Sequence, residues 1–355
     1  MIRYNNSHIM KRFIITLCCI AAAICISACN KPTENPQSVC NVIFDTDIGN
    51  DIDDAEALVL LNQYLEESRI NLLGICLNKH KDLTAKYVDI VDTWYGHPDI
   101  PIGIIKHDFS SGEPAEERYT GLVAQMTKAD GSPLFETTLK EYSSLPLSHK
   151  LYRKLLAAQP DNSVTVVSVG FLTNLSLLMD TPADEYSPLT GMELIQKKVK
   201  SLVLMAGRFT EPNYPEFNVI FDIPAAQKII NNWPGEVVLS PWEIGEAVRY
   251  PAESIENDYN WTPAHPFKEA YIRYGDMPYD NYAFDPTAVV YAVEGSDYFT
   301  VSPAGKVTVD DEGFTTFSPC EDGRHYYLSV TPDQAAALRE YFVNYLTRIP
   351  ASQAK

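Results

Sequence analysis

Asp45-Thr46-Asp47-Ile48-Gly49-Asn50-Asp51-Ile52-Asp53-Asp54 follows the apolar run Val42-Ile43-Phe44 and precedes Ala55, Leu58, Val59, Leu61 and Leu65, which recur at helical steps. The stretch therefore reads as the end of a strand, a loop and the entry to a helix, with five carboxylates in the loop. In open α/β sheets that edge is where ligands bind. Like charges this close must be offset by solvent, hydrogen-bond donors or a cation, and clustered hard oxygen donors favour calcium or magnesium. A merely solvated acidic loop would not need this composition at a strand end. An EF-hand loop would need its glycine sixth and a helix in front, whereas Gly49 is fifth and the lead-in is a strand. An Asp-x-Asp phosphohydrolase, with Asp45 as nucleophile, Asp47 as acid and Ser168, a lysine and Asp310-Asp311 recruited around them, would leave Asp51, Asp53 and Asp54 without a role.

Downstream, apolar runs alternate with helical patterns. Ile70 to Leu77 reads as strand, Leu83 to Tyr95 as helix, Ile100 to Ile105 as strand, Leu147 to Ala158 as helix and Val164 to Val169 as strand. Ser201 to Met205 and Val237 to Leu239 add further strands. The alternation predicts an α/β fold: an open, mostly parallel, Rossmann-like sheet with helices on both faces. Val307 to Val309 and His325 to Val330 suggest a small β addition near the C-terminus, and Pro332 to Ile349 a closing amphipathic helix. Residues 41–349 are expected to form one domain, with 107–148 as an insertion or lid carrying a short helix near Thr120 to Met126.

The acidic run resembles the N-terminal signature of the inosine–uridine-type nucleoside hydrolases, usually Asp-x-Asp-x-Gly-x-Asp-Asp-Ala. Here two extra residues separate Gly49 from Asp53-Asp54-Ala55, which is more like the longer-looped bacterial branch. Gly170-Phe171-Leu172-Thr173-Asn174 resembles the family's Gly-x-Leu-Thr-Asn marker. Pro215-Glu216-Phe217-Asn218 followed by Asp222-Ile223-Pro224-Ala225-Ala226 resembles its Glu-Phe-Asn…Asp-Pro-Glu-Ala stretch, and Asp285-Pro286-Thr287-Ala288 its last marker. The resemblance spans about residues 41–295. It implies calcium-dependent cleavage of the N-glycosidic bond of a ribonucleoside or related ribosyl compound. Asp47, Asp54, the Val169 carbonyl and Asp285 would hold Ca²⁺, and Asp47 would also act as base. Asp53, Asn78, Glu216 and Asn218 would bind substrate, and Thr173 and Asn174 would cap or brace the next helix. Asp222 is expected to cap the helix Ala225 to Asn232, and Trp242 to stack on a base or sit in the core. Asp51 receives no role. The family's histidine before the last aspartate, which protonates the leaving base, is matched here by Phe284. Tyr279, Tyr282, His265 and Glu243 are the substitute donors the sequence offers. A lipid-anchored protein that binds a ribosyl ligand without cleaving it is the competing function.

Lys11-Arg12 precedes an apolar run from Phe13 to Ile26, too short to span a bilayer and of the length of a signal-peptide core. Ile26-Ser27-Ala28-Cys29 resembles the bacterial lipobox, which implies removal of residues 1–28, lipidation of Cys29 and a tether over 29–40. The expected location is the cell envelope, on the periplasmic or outer-membrane face, anchored by lipid alone. Three basic and no acidic residues leave with the signal, so the formal charge of −19 becomes −22. That surface disfavours nucleic acid and anionic lipid as partners, while leaving open small nucleosides and an assembly of identical copies. Cys40, Cys76 and Cys320 then remain, too few and too scattered for a disulfide framework or a zinc site.

Overall fold

Strand β1, Cys40–Thr46, alternates its side chains between the two hydrophobic cores. Val42 and Phe44 pack into one and Ile43 into the other, each fully buried. A strand buried on both faces is the signature of a parallel sheet covered by helices. The computed structural model describes residues 39–106 and 118–354. The expected signal peptide, Cys29, most of the tether and the first part of the 107–148 insertion lie outside the described residues.

In chain order, β1 is followed by β2 (Ile70–Leu77), β3 (Ile102–Gly103), β4 (Val164–Ser168), β5 (Val199–Met205), β6 (Glu236–Ser240), β7 (Arg249–Tyr250), β8 (Asn281–Tyr282), β9 (Thr300–Val301), β10 (Gly305–Val309), β11 (Thr315–Pro319) and β12 (His325–Ser329). Among the described residues these form a ten-stranded sheet ordered β11-β10-β12-β6-β5-β4-β1-β2-β3, with β9 beside β12, and a separate β7-β8 pair. From β12 through β3 the pairing is parallel, and only β9, β10 and β11 run against their neighbours. The first six strands therefore stand in the doubly wound order 3-2-1-4-5-6. The direction of winding reverses between β1 and β4, and ligands collect at that switch point.

The expected small β addition is β9 to β12, and it extends the main sheet. Its β12 lies parallel to β6 through His325↔Val237 to Tyr327↔Leu239. Strand β3 is only Ile102–Gly103, shorter than its apolar run, because Ile104 pairs as an isolated bridge with Leu147. The predicted helix of the insertion is Tyr119–Ala124. Its neighbours serve as anchors: Phe135 packs edge-on against Trp94, and the Tyr142 hydroxyl donates to Asp89 at 2.7 Å. No helix among the described residues is long and apolar enough to cross a membrane.

Candidate active site

The acidic loop leaves β1 at the switch point and runs into the helix Asp53–Glu66. Gly170, at the end of β4, lets the neighbouring loop approach it. A Cβ on Gly170 would lie 2.5 Å from the Asp47 amide nitrogen and 2.9 Å from the Asp47 Cβ. Any side chain there would push the two loops apart, which is the physical content of the glycine in that motif.

Asp45 is fully buried beneath the loop. It accepts from Asn78 Nδ2 at 2.6 Å, Asn174 Nδ2 at 3.1 Å and the Tyr152 hydroxyl at 3.1 Å. Burial pushes its carboxyl up to about 7 even against those three donors. Asn78 was expected at the substrate. It lies behind the loop instead, because its amide N–H donates to the Thr46 carbonyl at 2.8 Å and continues the β1–β2 ladder. The brace expected of Thr173 and Asn174 takes the form of a Thr173 hydroxyl bond to Asp222 at 2.5 Å and the Asn174 bond to Asp45. Asp222 caps its helix through the Ala225 amide at 3.1 Å.

Above Asp45, a cavity of about 220 Å³ is lined by Asp47, Asp51, Asp53, Asp54, Asp285 and Glu216 on its acidic side. Trp242, Phe284, Phe217, Met205, Val169, Asn50 and Asn218 complete the wall. Carboxylate oxygens of Asp53, Asp54 and Asp285 lie within 4.8 Å of one another, all buried. Burial raises all three well above the ordinary carboxylate range, and mutual repulsion adds to it. Neutral donors only partly offset this: the Thr46 hydroxyl donates to Asp54, while the Phe284 and Asp285 amides donate to Asp53 at 2.9 and 3.0 Å. A buried set of hard, mutually repelling oxygen donors is the arrangement a divalent cation stabilises, so the residues present fit a metal ion.

Asp47 is held differently. Its carboxylate accepts from Asn50 Nδ2, whose Oδ1 in turn accepts from the buried Lys79 ammonium at 2.6 Å. Burial raises Asp47 to about 6, with Lys79 and Asn50 pulling downward. No sequence pattern singles out Lys79, which lies just past β2 in a short polar run. Asp51 accepts from the Tyr274 hydroxyl at 2.6 Å, and the Tyr119 hydroxyl donates to its carbonyl at 2.8 Å. Through Asp51 the lengthened loop is thus tied to the insertion and to the helix Pro266–Tyr274.

Across the cavity, Glu216 accepts from the Asn218 amide at 2.9 Å and the Gly207 amide at 3.2 Å, and burial raises it to about 7. Asn218 Nδ2 donates to the carbonyls of Val169 at 2.9 Å and Met205 at 3.0 Å. Of the substitute acids, none lines the cavity. Tyr279 donates to the Tyr271 carbonyl at 2.6 Å, and Glu243 Oε1 accepts from the Phe209 and Thr210 amides. Tyr282 stacks behind Phe284. His265 is fully buried, and desolvation holds it near 3.

These carboxylates carry a pH signature. Asp45, Asp47 and Glu216 have folded values of about 7, 6 and 7 against ordinary values of 3.8, 3.8 and 4.5. The folded state therefore holds more protons than the unfolded chain between those limits, and stability falls as pH rises through them. For Asp45 alone the loss approaches roughly 4 kcal/mol. Metal-free protein should unfold at lower urea concentration at pH 8 than at pH 5. Excess divalent cation should remove or reverse that slope, since it binds the deprotonated folded form. Urea titrations in chelator and in calcium measure both, and a stability that rises with pH in chelator would contradict the assignment.

A doubly wound sheet with an aspartate pocket at its switch point defines a class of ligand-binding α/β enzymes. Within it, residues 42–333 match the inosine-uridine preferring nucleoside hydrolase family, and the chain belongs to that family. It is accordingly a glycosyl hydrolase. The fold is similar to a plant nucleoside hydrolase at 19% identity and TM-score 0.63, covering 87% of this chain and 99% of that one. It is similar to an inosine-uridine preferring nucleoside hydrolase from Bacillus anthracis at 18% identity and TM-score 0.62, covering 88% and 100%. A purine-preferring ribonucleoside hydrolase from Gardnerella vaginalis gives 15% identity and TM-score 0.64, covering 86% and 98%. Curated protein sequences give no significant match.

Proposed function

We propose that the protein is a calcium-dependent hydrolase of the N-glycosidic bond of a ribonucleoside or related ribosyl compound. The observation that carries this reading is the convergence of four separated stretches, 45–54, 169–174, 215–218 and 284–285, on one cavity. When bound among Asp54, Asp285, Asp47 and the Val169 carbonyl, Ca²⁺ would hold the ribose diol and acidify the attacking water. Asp47 takes the proton from that water, and Lys79 and Asn50 favour its charged form against the cost of burial. Asp53 spends Oδ2 on two backbone amides, leaving Oδ1 for a ribose hydroxyl or for the metal. Glu216 is fixed by the amides it accepts, and Asn218 by its two donated bonds, so both present preset oxygens to the sugar. Trp242, Phe284 and Phe217 supply apolar walls against which a planar leaving group can lie. A phosphohydrolase is disfavoured because Asp45, its nucleophile, is fully buried and triply hydrogen-bonded.

Release of sugar from nitrophenyl-riboside by purified protein, lost on chelation and restored by calcium, tests the reading. Binding of the riboside without turnover would favour a non-catalytic ribosyl-binding protein instead.

The same proposal places the chain in the cell envelope of a bacterium, of the longer-looped branch, with lipid on Cys29. It rests on the basic, apolar, small-residue-then-cysteine order of residues 11–29. Wild-type protein should incorporate labelled fatty acid and sediment with membranes, and Cys29→Ser should do neither. Labelling that survives the substitution would reject the anchor.

A further inference from the structure

Arg208 follows β5 by three residues, at the ligand edge of the sheet. Its backbone is locked to Thr315, whose Oγ1 accepts from the Arg208 amide at 2.9 Å and donates to its carbonyl at 2.7 Å. The residue is 4% exposed. The guanidinium carbon lies 3.9 Å from the ring centroids of both Tyr214 and Trp242, whose planes meet at 73°, so the cation sits in the corner the two rings form. Nε makes one long bond, 3.4 Å, to the Thr210 carbonyl, and Nη1 is buried with no hydrogen-bond partner. Among the described residues Arg208 forms no ion pair. Glu243, on the same edge, accepts the Phe209 and Thr210 amides on Oε1, and its buried Oε2 has no hydrogen-bond partner and forms no ion pair with Arg208.

A buried cation with an orphan donor is costly, because aromatic faces supply attraction but accept no N–H bond at Nη1. A structural arginine usually has a carboxylate, and Arg153 in this chain does: its guanidinium grips Asp184 at 2.6 and 2.8 Å. Arg208 differs in adjoining the active cavity through Trp242, which is at once its stacking partner and a cavity wall. Asp47, Asp51, Asp53, Asp54, Asp285 and Glu216 line the cavity, and their charge disfavours a negatively charged substrate unless a cation receives its anionic group.

We propose that Arg208 is a specificity-determining residue that receives an anionic group carried by the ribosyl substrate, a phosphate or a carboxylate. This rests on the hydrolase reading above and narrows its substrate class. The planar guanidinium fork matches both oxyanions, and its stacked position pre-orders it, so little side-chain freedom is lost on binding. The anion can sit on the sugar, as in a nucleoside 5′-phosphate, or on the base, as in a carboxylated pyrimidine.

Paired substrates separate these sources. For the calcium-loaded full chain, kcat/KM is compared for inosine 5′-monophosphate against inosine and for orotidine against uridine. The wild type should prefer the anionic member of one pair. Arg208→Met should lower that preference about 30- to 100-fold, and Arg208→Lys, which keeps the charge but loses the fork, by less. An arginine that only braces the 208–216 loop would change both members of a pair alike and leave the ratio unmoved. Calorimetric binding of ribose 5-phosphate against ribose, and of orotate against uracil, needs no turnover. Arg208-dependent binding of one anion in a protein that cleaves nothing would fail the hydrolase reading and keep the anion site. No preference in either pair and in either assay, or a preference that survives Arg208→Met, overturns the proposal.

Discussion

Asp54→Ala should lose bound metal and turnover together, with kcat/KM falling roughly 10³-fold or more, since Lewis-acid stabilisation is worth several kcal/mol and each 1.4 kcal/mol is a decade. Asp54 is 1% exposed and sits within 4.8 Å of Asp53 and Asp285, oxygen to oxygen. The informative partner variant is Asp54→Asn. It keeps the shape and an oxygen to accept the Thr46 hydroxyl, and removes only the charge. Because burial and the Asp47 and Asp53 charges disfavour ionised Asp54, the neutral amide should make metal-free protein more stable at pH 8. The same change should abolish calcium binding. A variant more stable in chelator and inactive in calcium separates a ligand role from a folding role. Metal content of the purified variants and their unfolding midpoints in chelator measure the two arms. Full wild-type activity after exhaustive chelation would defeat the metal assignment altogether.

What the sequence disclosed follows from which interactions are local. The 45–54 run, the strand–helix alternation and the Gly170 motif are contiguous, and they led directly to a parallel sheet with an acidic loop at its edge. The β addition was visible as alternation, but its joining to β6 through β12 was not, since that pairing crosses about ninety residues. Side-chain direction was less legible than element type. Asn78 was correctly placed past β2 at the ligand edge, yet its backbone continues the ladder and turns the amide onto Asp45. Lys79, one residue on, is the cation that reaches the acidic loop through Asn50. Nothing in a run reading Asn78-Lys79-His80-Lys81 distinguishes those two residues from solvated neighbours. Arg208 was equally silent, because its aromatic partners come from two separate segments, Tyr214 from a loop and Trp242 from the start of the helix Trp242–Ala247. Asp51, left without a role, is fixed by Tyr274 from a helix more than two hundred residues away.

Nitrophenyl-riboside should be cleaved about 10²- to 10⁴-fold faster than inosine or uridine, the range by which a positioned general acid normally accelerates departure of a poor leaving group. The position that would carry such an acid holds Phe284, whose ring lines the cavity between Trp242, 6.1 Å away, and Tyr282, 5.4 Å away. The ring packs on Gly245, where a Cβ would come within 2.0 Å of Phe284 Cδ1, so the backbone there is shaped to admit it. The four polar residues that could have substituted stand outside the cavity wall: Tyr279 donates to a carbonyl, Glu243 accepts two amides on Oε1, Tyr282 lies behind the phenyl ring, and His265 is buried and neutral. Departure of an unprotonated base then depends on the base's own stability as an anion, and nitrophenolate needs no proton. Phe284→His places an imidazole on the same glycine without enlarging the side chain. It should raise purine-nucleoside turnover while changing nitrophenyl-riboside little, narrowing the ratio from the natural-substrate side. Equal rates for nitrophenyl-riboside and natural nucleosides in the wild type would mean that leaving-group activation is already efficient. Single substitutions at Tyr279, Tyr282, His265 and Glu243 would then identify a donor that moves into the cavity when substrate binds.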